Sequence, residues 1–359
     1  MKAPLYCPVH THTERRIEFD GLLWPIMTTI RKHASTLIKI GVTLLGLAFV
    51  LSQIELRTVS DTLLQAKPGW VVVTFALILL SLVVRAIRWL FLLRGLGVTL
   101  SVTRLVALYF VGSFFNAFLP TSFGGDVMRV IEVTRDVPAE VAAGTVIVDR
   151  LSGLLMLFAM ALFALPFRPP DFPAQLLTLV IIVAVIGLVG GFILLQGTLL
   201  RRLGRFLPAI LSPTGHGPVA RVLAAVNAVG WPAVMKALAV SLVFNVILVL
   251  WWWSAGRALE FEISFTHYLL VIPILSISLL VPSIGGLGPR EVVAQTLFAS
   301  QLNNDQAVAL SLLVFFLQRL SGVLGGPIYL WMVVRGKQTR ATPPASRVTH
   351  APEPSDRSR

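Results

Sequence analysis

Long apolar runs separated by short polar breaks fill most of this chain. The runs predict helices at about 36–54, 70–93, 101–119, 142–165, 175–196, 232–254, 266–281 and 306–334. Most approach the roughly 20 apolar residues that a membrane-spanning helix needs. The breaks after the third and seventh runs are different. Pro120–Val133 and Pro282–Leu297 are too long for turns and too short for full spans. They read as half-helices that re-enter the membrane, which is tolerated only where the backbone is buried in protein or lines a cavity.

The flanks break the pattern. Residues 1–35 are polar and mixed and read as a disordered cytoplasmic tail, with Met27-Thr-Thr-Ile-Arg31-Lys32 as a second candidate start. The run after Lys39 has no small-residue cleavage signature, so it reads as a retained first helix rather than a signal peptide. Residues 336–359 are rich in Pro, Ser and Arg and read as a second disordered tail. Residues 36–335 then form the transmembrane domain.

Composition sharpens this. Of 359 residues, 56% are hydrophobic and 13% charged, about half the roughly 25% charge usual in a soluble domain. Mean hydropathy is +0.82. No soluble fold of this length hides that much apolar surface. The fold class is an all-α polytopic membrane protein with about eight transmembrane helices and two re-entrant half-helices. The net charge of +13 suggests nucleic acid in a soluble protein. Here the basic residues lie mainly in tails and short loops, the positive-inside pattern, and no nucleic-acid partner is expected. Cys7 is the single cysteine, so a cysteine metal site is excluded, and the His10/His12 pair in a tail is weak evidence for metal. No metal or cofactor is expected.

Arg31, Lys32 and Lys39, the stretch 201–236 with its five basic residues, and Arg335, Lys337 and Arg340 should all be cytoplasmic. Both termini then lie inside. Counting crossings under that constraint requires the two half-helices, and it runs the third and seventh helices in opposite directions.

The two half-helices resemble each other. Within Pro120-Thr-Ser122-Phe-Gly124-Gly125-Asp126-Val-Met-Arg129 and Pro282-Ser283-Ile-Gly285-Gly286-Leu-Gly288-Pro-Arg290-Glu291, the pairs Ser122/Ser283, Gly124/Gly285, Gly125/Gly286 and Arg129/Arg290 match at an offset of 161, and Arg150-Leu-Ser-Gly153 recurs as Arg319-Leu-Ser-Gly322 at an offset of 169. Two motifs in one order at nearly one offset indicate duplication. With opposite crossing directions, the repeat is inverted, and inverted repeats with broken helices meeting near the midplane mark transporters.

Gly-Gly allows tight turns and leaves N–H groups uncovered, and a half-helix N-terminus attracts anions. Arginine adds a fixed, forked charge suited to phosphate. Arg150 and Arg319 lie well inside apolar runs, where insertion costs roughly 2.5–3.5 kcal/mol, so each must face the interior and meet a partner or an anionic ligand. Arg129, Arg150, Arg290 and Arg319, with Asn116, Ser122, Gly124, Gly125, Ser283, Gly285 and Gly286, are the candidate substrate-binding residues. Asp126, Asp149 and Glu291 are the candidate counter-ions, with Asp149 pairing across helices to Arg129 or Arg290. A structural salt bridge holding helices together is the competing reading. Arg85 and Arg88 share a face near a helix end and read as snorkelling to lipid phosphate. Trp251-Trp252-Trp253 reads as an interfacial aromatic belt. Gly187 and Gly191 read as a close-packing pair. His267 reads as a residue near the outer end of its helix.

At these residues the chain resembles the membrane region of lysylphosphatidylglycerol synthases, a flippase-like domain family. The matching text is Arg85-Ala-Ile-Arg88-Trp89, Phe115-Asn116-x-x-Leu119-Pro120-x-Ser122-x-Gly124-Gly125-Asp126-Val-x-Arg129, Val148-Asp149-Arg150-Leu-x-Gly153 and Pro282-Ser283-x-Gly285-Gly286-Leu287-Gly288-x-Arg290-Glu291. The resemblance implies an integral domain that moves phospholipids or polyprenyl-linked lipids between leaflets of the cell membrane. Full-length synthases add a soluble aminoacyl-transferase domain. Only a short tail follows the last helix here, so lysyl transfer is not expected. Three functions compete: a translocase for lipids with anionic head groups, a non-catalytic partner of a lipid- or glycan-synthesis enzyme, and a membrane enzyme using Asp149 or Glu291 as base.

Overall fold

The computed structural model describes residues 41, 43–118, 124–134, 137–170, 172–195, 226, 228–278, 281, 283 and 286–341. The N-terminal tail with Met27 and Cys7, residues 342–359 of the second tail, Arg135 and the basic residues of 201–225 lie outside the described residues, as do the candidate site residues Ser122 and Gly285, whereas residues 336–341, read as the start of the second tail, continue the last helix.

Among the described residues every regular element is helical. In chain order these are α1 (Thr43–Leu51), α2 (Leu56–Leu64), α3 (Pro68–Gly95), α4 (Val102–Phe118), α5 (Gly124–Val133), α6 (Ala139–Ala164), α7 (Ala174–Leu195), α8 (Trp231–Ala258), α9 (Phe265–Ser278), α10 (Pro289–Phe298), α11 (Asn304–Val323) and α12 (Gly325–Ala341). Five spans are long and apolar enough to cross a membrane: α3, α6 with its 3-10 extension, α7, α8, and α11 running into α12. The pair α1–α2 adds a sixth but is bent by 90°, so the predicted first helix ends at Leu51 rather than continuing to 54. α4 and α9 are shorter apolar helices. The protein is an all-α, multi-pass membrane protein.

The half-helices α5 and α10 are ten residues each and sit where the two unusual breaks fall. Around them the chain repeats. α3 and α8 are both 28 residues long and start at 68 and 231; α4 and α9 start at 102 and 265; α5 and α10 at 124 and 289; α6 and α11 at 139 and 304. The offset is therefore 163 residues before the half-helix and 165 from its start onward.

The loops that leave α3 and α8 are bonded alike. After α3, Val98 N–H donates to Leu93 O and Gly97 N–H to Arg94 O, both at 3.0 Å. After α8, Phe261 N–H donates to Gly256 O at 2.9 Å and Glu260 N–H to Arg257 O at 3.2 Å. Both are Schellman caps with a left-handed residue, Gly97 at φ 75° and Glu260 at φ 61°. Each is followed by a serine that caps the next helix: Ser101 Oγ accepts from Arg104 N–H and Ser264 Oγ from His267 N–H, both at 3.3 Å.

α3 and α8 form the most extensive helix pair, and they run antiparallel. Lys67 N–H at the start of α3 donates to Ala258 O at the end of α8 at 2.8 Å, while Gly95 at the end of α3 abuts Val229 and Ala233 at the start of α8. Thr74 and Ser254 hydroxyls bond at 2.8 Å between them. Partners are also exchanged: α4 packs on α11 and α12, and α9 packs on α6 and α7. Antiparallel counterparts with exchanged partners are what an axis in the membrane plane produces, so the repeat is inverted.

Two apolar clusters hold the bundle. One gathers α9, α10 and α11 on the later part of α8, with Trp251, Tyr268 and Phe298. The other gathers the later part of α3 with α4, the start of α6 and the start of α8, around Trp89 and Tyr109. The tryptophan reading is corrected here. Trp251 and Trp252 are buried in the first cluster, because α8 continues past them to Ala258 and carries them below its end. Only Trp253 is partly buried at the rim of that cluster, edge-on to Trp70. The glycine pair on α7 packs closely as read, Gly187 on Phe158 and Gly191 on Leu155.

Candidate functional site

Between the two apolar clusters lies a cavity of about 430 Å³. Its walls come from both halves of the repeat. The first half supplies Arg85 and Arg88 from α3, Asn116 from α4 and Arg150 from α6. The second supplies Asn245 and Trp251 from α8, Ser276 from α9, Arg290 from α10, and Gln318 and Arg319 from α11. Arginines from four different helices thus meet at one void.

Behind the first-half wall, charges alternate in sign. Arg150 pairs with Asp126, whose other oxygen holds Arg129 at 3.1 Å. Arg129 also reaches Asp149 at 3.2 Å, and Asp149 binds Arg88 Nε at 2.6 Å. Tyr109 donates its hydroxyl to Asp149. The Arg129 guanidinium lies between the Trp89 and Tyr109 rings, 4.3 and 3.9 Å from their centroids. Trp89 is held in turn by Thr145 at 3.1 Å. Arg129 and Asp149 therefore stand behind the wall rather than in it, and Asp149 is fully buried. At the cavity end of the network, the Arg150 side chain is 35% exposed.

The snorkelling reading of Arg88 is corrected. α3 continues to Gly95, which leaves Arg88 seven residues, or about 10 Å, below the helix end. Its guanidinium is spent on Asp149 and on Ser241 Oγ at 3.3 Å. Arg85 lines the cavity instead of reaching the lipid surface.

The glycines serve packing. Gly125 N–H donates to Asn116 Oδ1 at 2.7 Å, and a Cβ on Gly125 would overlap the Gly112 carbonyl of α4. Gly124 opens α5 and is buried. In the second half, Gly286 and Gly288 take φ values of 89° and 88°, which side chains rarely adopt. A Cβ on Gly46 of α1 would come within 2.7 Å of the Gly288 backbone. Ser283 is buried outside the lining, with Oγ donating to Val281 O at 3.3 Å.

Glu291 closes the N-terminus of α10, accepting Gly288 N–H at 2.8 Å, and it accepts Ser311 Oγ at 3.1 Å. Arg290 NH2 donates to Ser311 O at 2.8 Å, and its Nε lies 3.4 Å from Glu291. Arg319 donates to the Asn116 carbonyl, so a second-half arginine caps the end of a first-half helix. Arg290 and Arg319 both face the Phe315 ring, at 5.1 and 4.6 Å. Helix register also alters the motif alignment. Asp126 and Glu291 are each the third residue of their half-helix. By position the acids correspond, whereas the single offset of 161 pairs Arg129 with Arg290.

Trp89 entered the sequence reading only as a motif residue, and two buried groups escaped it, Tyr109 and the acid Glu132 on α5. Each sits in an apolar or mixed run without a motif to mark it. His267, read near a helix end, is a core residue, with Nε2 3.2 Å from Leu297 O and its ring against Phe172 and Phe298.

Residues 36–326 match the family described as "Lysylphosphatidylglycerol synthase TM region". A UPF0104 membrane protein of Methanocaldococcus jannaschii is 25% identical over 144 residues, which is 39% of this chain. The aligned part is 43% of that relative's length, so the match spans less than half of it.

Proposed function

The chain belongs to the lysylphosphatidylglycerol synthase transmembrane-region family, and on that premise we propose that it moves a lipid with an anionic head group between leaflets through the arginine-lined cavity. The observation that carries this reading is the convergence of Arg150 from one inverted half with Arg290 and Arg319 from the other on one void. Arginine inside a bilayer is costly, and the cost is offset where it meets an anion. The head group, of an anionic phospholipid or a polyprenyl-linked lipid, enters the cavity while its tails stay in the hydrocarbon. Asp126 and Glu291 hold Arg150 and Arg290 in the empty state. Asn116 and Arg319 form a contact between the halves that rocking breaks and remakes, which alternates access.

In this reading the protein sits in the cell membrane with both termini cytoplasmic and leaves the lipid covalently unchanged. A lipid-synthesis enzyme is a fitting partner, since a translocase needs a supply on one face. Purified protein reconstituted in vesicles should accelerate movement of fluorescent phosphatidylglycerol. Arg150→Ala and Arg319→Ala together should slow it by about tenfold or more, since charge-assisted contacts to the head group are lost. Vesicles in which no labelled anionic lipid moves, or a strain whose deletion changes lipid structure rather than lipid sidedness, would overturn the reading.

A further inference from the structure

The charges around the cavity do not balance. Among the described residues, six arginines lie buried in the bundle or on the cavity wall: Arg85, Arg88, Arg129, Arg150, Arg290 and Arg319. Four acids share that interior: Asp126, Glu132, Asp149 and Glu291. Among these described residues the formal surplus is two positive charges. A surplus of that size in a low-dielectric interior is expensive unless an anion joins it.

Arg85 shows where part of the surplus is available. It lines the cavity, and among the described residues it makes no hydrogen bond and no ion pair. Its neighbours are aromatic faces, with the guanidinium carbon 5.0 Å from the Tyr109 ring and 5.7 Å from the Phe244 ring. A guanidinium seated on ring faces is held in place while its N–H edges stay available for a forked contact with phosphate. In the same wall, Trp251 is buried and its indole N–H, a donor only, has no acceptor among the described residues. Arg85 comes from α3, whereas Arg290 and Arg319 come from α10 and α11, so the cavity offers anion contacts from two sides.

We propose that the cavity selects a lipid whose head group is a phosphate dianion, a phosphomonoester, over a phosphodiester, and that Arg85 is the residue that reads the second charge. This rests on the translocation reading of the same cavity. A phosphomonoester carries about −1.5 to −2 at neutral pH, which matches a surplus of two, whereas a phosphodiester carries a single charge.

The test is binding to the full chain in detergent micelles, with short-chain phosphatidic acid and farnesyl monophosphate as dianionic probes and short-chain phosphatidylglycerol as the monoanionic one. Wild type should bind both dianionic probes at least about tenfold more tightly than phosphatidylglycerol, the equivalent of about 1.4 kcal/mol. Arg85→Gln should remove most of that preference, read as the ratio of dianionic-probe to phosphatidylglycerol affinity falling to within about threefold of one. Arg85→Lys, which keeps the charge, should restore part of it and guards against misfolding of the neutral variant. Equal wild-type affinities for the two classes overturn the proposal and leave translocation of anionic lipids standing. A preference that survives Arg85→Gln overturns the role of Arg85. Failure of every anionic probe to bind overturns the translocation reading itself.

Discussion

Asp149 is the residue on which the first half's charge network turns. It neutralises Arg88 and Arg129 together and accepts the Tyr109 hydroxyl. Replacing it with Asn leaves two buried guanidinium groups facing a neutral amide, a change of the kind that costs about 3–5 kcal/mol. Asp149→Asn should therefore lower the melting temperature in detergent sharply, and Asp126→Asn should lower it less, since of its two partners Arg150 is partly exposed and Arg129 keeps Asp149. Equal melting of wild type and Asp149→Asn would show that the ion network does not stabilise the bundle. At this scale the sequence was informative where charge stands out against an apolar run, as at Arg150, Arg319 and Asp149. It was silent where the partner is an ordinary core residue. Nothing in the text around Tyr109 or Trp89 signals that their rings enclose Arg129, because aromatic residues in apolar runs are expected everywhere in a membrane protein. Arg88 was misplaced for a different reason. Two unread residues of helix and the wrong rotation were enough to turn a buried counter-ion partner into an apparent surface group.

At the scale of elements, the duplicated Schellman caps offer a controlled comparison. The same left-handed position is Gly97 in one half and Glu260 in the other. A residue with a Cβ in this conformation costs roughly 1–2 kcal/mol. No atom stands within 4 Å of a Cβ placed on Gly97, so Gly97→Ala measures backbone strain alone and should destabilise by about 1 kcal/mol. Glu260→Gly removes the same strain and loses an exposed pair with Lys67 worth about 0–1 kcal/mol. Its melting temperature should be unchanged or higher. A fall as large as that of Gly97→Ala would show that the two caps are not equivalent. The caps also show what was legible and overlooked. Arg94-x-Leu96 and Ser101-x-Thr103 recur as Arg257-x-Leu259 and Ser264-x-Thr266 at the offset of 163. The half-helices drew attention by their glycines, but small insertions shift the offset between motifs, and a single offset then aligns Arg129 with Arg290 across different helical positions.

At the scale of the molecule, the antiparallel pairing of α3 and α8 makes a prediction about sides. Starting from a Cys7→Ser background, single cysteines at Lys67 and Glu260 should react with a membrane-impermeant reagent from the same face, and cysteines at Gly97 and Trp231 from the opposite face. Labelling of Lys67→Cys and Trp231→Cys from one face would break the inverted arrangement. The long apolar helices and the two breaks were readable from hydropathy alone, because lipid imposes the length of a span. Which helices exchange partners was not, since every lipid-facing side chain is as apolar as the next. That exchange has a historical consequence. Neither half encloses the cavity alone, so a shorter ancestor carrying a single half would have needed two copies inserted in opposite orientations. Such a chain would have to be nearly indifferent to its own orientation. Two copies joined in one chain are free of that demand, since the linker between them ties the orientation of each to the other.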